Sequence, residues 1–138
     1  MTRRDNWPAI LDAFLAERQA RPFSWSANNC ALFAADWVRE LTGWDPAAEL
    51  RPKVQGPLSA MRIVRQAGGV TVLVDEACAA QGWPSVPATY ARRGDLVVTP
   101  TDNGPAVGIS VGHGGVFVGP QGLTLQSRAL LWRAWQIA

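Results

Sequence analysis

Asn28-Asn29-Cys30-Ala31-Leu32-Phe33-Ala34-Ala35-Asp36-Trp37-Val38-Arg39-Glu40-Leu41-Thr42-Gly43 is the stretch on which the fold turns. Asparagine is a favoured N-cap, because its side-chain oxygen accepts an N–H that the first helical turn leaves unpaired. The run from Cys30 to Leu41 is apolar apart from its charges at 36, 39 and 40, and Gly43 stands where a left-handed glycine ends a helix. The pattern predicts a helix with Cys30 in its first turn and with Asp36 and Glu40 on its surface.

Upstream, Asn6 caps a first helix carrying Pro8, with Ile10, Leu11, Phe14 and Leu15 on one face. A loop, Arg21-Pro22-Phe23-Ser24-Trp25-Ser26, joins the two helices. Downstream, a third helix runs from Pro57 to Gln66 and closes at Gly68-Gly69. Val70 to Ala80 leaves strand and helix open, since it begins β-branched and ends in helix formers.

From Gly94 the character changes. Leu96-Val97-Val98, Val107 to Val111, Val116-Phe117-Val118 and Leu123-Thr124-Leu125 are short apolar runs broken by glycine. They read as antiparallel strands, with Gly112-His113-Gly114-Gly115 as a hairpin turn. Trp132 to Ile137 alternates and is a candidate to close the sheet. Helices over about 6–80 and strands over about 94–138 predict one α+β domain spanning 1–138 with segregated layers.

The composition narrows the function. The chain has 138 residues, 48% of them hydrophobic and 17% charged, with a net charge of +2, which excludes intrinsic disorder. No apolar run approaches the roughly 20 residues of a bilayer span. The basic residues are scattered, where a nucleic-acid binder would show a basic face, so no nucleic-acid partner is expected. Two cysteines and one histidine cannot assemble a structural zinc site, and neither a metal nor a cofactor is expected. The N-terminus lacks the apolar core of a secretory signal, which predicts synthesis in the cytoplasm without a signal peptide. Seven tryptophans and an arginine-dominated basic set suit either an interface or a tryptophan-rich core.

Cys30 is the candidate nucleophile. At a helix N-terminus the unpaired N–H groups and the helix dipole favour thiolate and can stabilise an oxyanion. The alternative is a small apolar residue that packs and does nothing else.

Phe23-Ser24-Trp25, followed by Asn29-Cys30-Ala31-Leu32-Phe33-Ala34-Ala35-Asp36-Trp37-Val38, resembles the cysteine-bearing helix of NlpC/P60-type cysteine peptidases. More narrowly, it is similar to small phage- and prophage-encoded proteins of that fold associated with tails. Gly94-Asp95-Leu96-Val97-Val98 and Val107-Gly108-Ile109-Ser110-Val111-Gly112 resemble the two strands that follow in that family, and Gly43 to Ala48 and Ala134 to Ile137 match the narrower group.

The resemblance implies a papain-like fold, with N-terminal helices packed on an antiparallel barrel-like sheet. It also implies a cysteine hydrolase chemistry on peptidoglycan stem peptides, in which a histidine moves the proton. It places Phe23, Trp25, Asn29, Ala106 and Gly108 along the site.

The chain departs from the family at the base. The family histidine directly precedes the Val-Gly-Ile strand, where this chain has Ala106. The lone histidine, His113, lies seven residues on, roughly 23 Å along an extended strand. Asn29 replaces the aspartate before the nucleophile, and Phe23 or Trp25 replaces a tyrosine. His113 is thus either a displaced base or a turn residue.

On 106–111, Val107 and Ile109 should face the core, leaving Ala106, Gly108 and Ser110 on a small, open face. The expectation is a catalytically degenerate component of a phage tail tip, hub or baseplate, resident in the virion. Its expected partners are other tail proteins, and bacterial peptidoglycan where it engages the cell wall. The competing reading is an active peptidase or amidase. Trp25 and Trp37 should pack around Cys30, and Trp7, Trp44, Trp83, Trp132 and Trp135 are the candidates for partner contacts.

Overall fold

In the computed structural model, which describes residues 1–138, side-chain capping marks the start of the helix at Cys30 but not that of the first helix, where Asn6, expected as a cap, makes no side-chain cap bond. The helices are α1 (Trp7–Arg18), α2 (Cys30–Thr42), α3 (Pro57–Ala67) and α4 (Val70–Ala80). On α2 the Asn29 side chain accepts the Leu32 N–H at 2.9 Å, and Gly43 closes the helix with φ 87°, which glycine adopts without a Cβ clash. The stretch left open between strand and helix is α4. Its buried residues Val70, Val74 and Cys78 recur every fourth position, so one packed face outweighs the β-branched start.

Six strands follow: β1 (Ser85–Pro87), β2 (Leu96–Thr99), β3 (Ala106–Ser110), β4 (Gly114–Gly119), β5 (Gly122–Ser127) and β6 (Arg133–Trp135). They form one antiparallel sheet in the order β1-β6-β2-β3-β4-β5. The two edges, β1 and β5, do not pair with each other. The C-terminal strand lies inside the sheet, with Ala134 opposite Val86 on one side and Val97 on the other. The hairpin turn is tighter than the glycine run suggests, because β4 already begins at Gly114.

Both faces of the sheet are covered. On one, Leu96, Val98, Val107, Ile109 and Trp135 pack against Leu11, Phe33, Trp37 and Leu41 of the helices. Each such side chain contributes roughly 1.5–3 kcal/mol by leaving water. On the other, Val97, Phe117 and Ala134 pack with Ala88 and Leu131 into a smaller core. The Gly108 face is therefore not open: a Cβ there would lie 2.6 Å from the Phe117 ring and 2.3 Å from the Val116 carbonyl oxygen.

Two further expectations are corrected. Asp36 is buried rather than on the surface of α2, because Arg18 donates to its Oδ2 at 2.8 Å and Arg51 lies 2.7 Å from its Oδ1. The tryptophans mostly serve the core. Trp135 and Trp83 are buried, Trp7 and Trp44 are half-buried, and of the five proposed for contacts Trp132 alone is exposed, at 59%.

Candidate functional site

The site forms where the N-terminus of α2 meets the start of β3. β3 pairs with β4 only through Ile109↔Val116 and Ser110↔Gly115, so the two strands part at the Val107 end. By ladder alternation the Val107 N–H faces the β4 side, where no strand partner takes it up. The backbone at Val107, like that at Ala31 and Cys30 itself, lies near enough to the Cys30 thiol to lower its pKa.

These backbone groups favour thiolate, but burial is the larger effect and pushes the Cys30 thiol above its ordinary value. Cys30 packs against the main core as an apolar neighbour of the helices. A nucleophilic cysteine at neutral pH needs the opposite shift, usually from an imidazolium or another cation beside it.

The aromatic loop stands at the same end of the sheet. Phe23 donates its N–H to the Gly119 carbonyl at 3.1 Å, which ties the loop to the end of β4. Phe23 and Trp25 are exposed and meet edge to face at 4.9 Å between centroids. Asn28 is buried and holds the loop closed by donating Nδ2 to the carbonyls of Pro22 (2.9 Å) and Arg21 (3.3 Å). Asn29 donates Nδ2 to the Trp25 carbonyl while its oxygen caps α2, so both ends of this side chain are occupied. Trp37, expected beside Cys30, lies two turns further along α2, fully buried against Phe14, with Nε1 donating to the Gly94 carbonyl at 2.8 Å.

The structure thus gathers Phe23, Trp25, Asn29, Cys30 and the Ala106–Val107 end of β3. It does not bring His113 to them. His113 is exposed in the turn between β3 and β4, at the opposite end of those strands. Gly108 is buried under Phe117, and Ala106 packs at the margin of the second core. No group of three or more His, Cys, Asp or Glu side chains is placed to hold a metal ion, and no helix is long and apolar enough to cross a membrane.

A second polar centre forms around Asp95. Asp95 is fully buried and accepts from Arg3 Nη2 (2.7 Å), the Arg92 N–H (2.7 Å), Arg92 Nη2 (3.0 Å) and the Ile137 N–H (3.0 Å). It joins the N-terminal arm, the turn before β2 and the end of the chain. The Arg92-Asp95 spacing signals the local pair, but nothing in the sequence announces Arg3 or Ile137.

The chain has no match among curated proteins. Residues 2–137 match the model of a family described as a domain of unknown function, DUF6950, and the chain belongs to that family.

Proposed function

We propose that this protein is a structural component of a phage tail tip, hub or baseplate, built on a papain-like NlpC/P60-type scaffold whose cysteine site no longer hydrolyses. The observation that carries this reading is the setting of Cys30. Its thiol abuts the start of β3, where the NlpC/P60 pattern puts a histidine and this chain has Ala106, while His113 lies at the far end of the strand. Loss of a general base from such a site removes orders of magnitude in rate.

A surface suited to assembly supports the same reading. On the sheet side away from the helices, Arg128 donates to the Thr89 carbonyl, and Tyr90, Leu130 and Trp132 nearby in sequence are 66%, 52% and 59% exposed. Exposed tryptophan and tyrosine beside arginine are the usual anchors of protein interfaces. One feature favours the alternative, a peptidoglycan-cleaving hydrolase: Cys30 stands in the first turn of α2, where helix N–H groups can stabilise an oxyanion.

The two readings separate in one experiment. Purified protein and its Cys30→Ala variant are incubated with peptidoglycan sacculi, and soluble fragments are measured. The same substitution is carried into the phage, and particles are examined for the protein and for tail morphology. The expected outcome is no fragment release, the protein present in particles, and normal tails with Cys30→Ala. Release that disappears in Cys30→Ala would establish the hydrolase instead, and absence from particles would remove the tail assignment.

A further inference from the structure

A groove of about 550 Å³ runs between α2, α4 and the 44–50 loop. Its volume falls in the range of roughly 300–1,000 Å³ usual for binding sites. Ala34 and Val38 of α2, Val74 and Cys78 of α4, and Leu96 form an apolar floor. Trp44 and Trp83 form one wall, edge to face at 5.8 Å.

The charged residues on this groove are all acidic: Asp45, Glu49 and Glu76. Asp45 is committed to Arg51, at 2.8 Å. Glu49 and Glu76 are exposed and take part in none of the ion pairs of the protein. On a chain with thirteen basic residues and a net charge of +2, a groove whose only uncommitted charges are Glu49 and Glu76 is a local reversal of sign, Asp45 being matched by Arg51 and Arg39.

We infer that this groove docks an amphipathic helix of a partner protein, with apolar side chains against the Trp44–Trp83 wall and flanking lysine or arginine against Glu49 and Glu76. The charge follows from complementarity with the acid-only rim. The helical form follows from the walls. Two of them are helices with their backbone groups already bonded, and the strand beneath, β2, is paired on both edges with β3 and β6. An extended segment would find no ladder to join, so recognition passes through side chains set at helical spacing. The groove reaches Ala31, the neighbour of Cys30 on α2, but Cys30 itself is not part of its lining.

The test titrates the intact protein with a designed amphipathic Leu/Lys helix and with its Leu/Glu counterpart, reading tryptophan fluorescence. Trp44 and Trp83 should report saturable binding of the Leu/Lys peptide, weakened by added salt, and no binding of the Leu/Glu peptide. The Glu49→Gln, Glu76→Gln double variant should weaken binding about fivefold, the scale of two exposed ion pairs. Ala77→Arg, which places a cation at the groove, should abolish binding, with circular dichroism checking that the variant is folded.

Equal binding of both peptides, no saturable response to either, or an affinity unchanged in the charge variants would each overturn the inference. Binding of a neutral apolar dye that neither peptide displaces would assign the groove to small molecules and overturn it as well.

Discussion

Cys78 shows how a single buried thiol makes stability depend on pH. Burial, with the Asp75 and Asp95 carboxylates adding to it, pushes this thiol from an ordinary 9.0 up to about 12. The folded state therefore favours the protonated thiol, and its contribution is fully present below pH 9. It is lost as pH rises from 9 towards 12, where the unfolded chain releases the proton first. Urea midpoints measured at pH 7, 9 and 10.5 should fall across that window, and Cys78→Ala should flatten the fall while lowering stability throughout. Gly108 is the second sensitive residue. A methyl group added there meets the Val116 carbonyl and the Phe117 ring, so Gly108→Ala should destabilise by about 3 kcal/mol in denaturant unfolding.

At the scale of elements, α2 depends on its two ends. Asn29→Ala removes the oxygen that accepts the Leu32 N–H and should cost about 1 kcal/mol. The same change frees the Trp25 carbonyl, so the aromatic loop should become more accessible to protease at Phe23 and Trp25. Limited chymotrypsin digestion of variant and wild type checks this. Where α2 starts is legible in Asn29 and Cys30, because capping is a local interaction between neighbours in sequence. The helical state of α4 is not, since it rests on Val70, Val74 and Cys78 meeting a core built by distant residues. β1 escaped for a related reason: Ser85-Val86-Pro87 is short, carries a proline, and becomes a strand only because β6 lies beside it.

Across the whole molecule, Asp95 is the main polar tie. Arg3 donates to Asp95, to the Arg93 carbonyl (2.8 Å) and to the Ile137 carbonyl (2.9 Å), so the first residues, the turn before β2 and the last residues are held as one unit. Burial lowers the pKa of the Arg3 guanidinium, and the Asp95 carboxylate works against that shift. Removing the carboxylate leaves Arg3 without its counter-charge in a partly desolvated place. Asp95→Asn should therefore destabilise by about 3–5 kcal/mol. Removing residues 1–5 should leave the core intact but speed hydrogen exchange at the Ile137 N–H, which separates the arm's contribution from that of the carboxylate.

Local sequence dictates the segregation of helices before strands, the position of Cys30 in a first helical turn, and the absence of an imidazole at position 106. Each of these follows from residue identity and short-range spacing. Long-range packing is what buries Asp36, turns most tryptophans inward, covers both sheet faces and opens an acid-rimmed groove beside α4. These depend on which distant residues meet, and the pairing of Asp36 with Arg18 and Arg51, or of Phe117 with Gly108, is made by chain topology rather than by neighbours. Cys30 belongs to both accounts. Its place at a helix start is local, whereas its raised pKa comes from the core that closes over it.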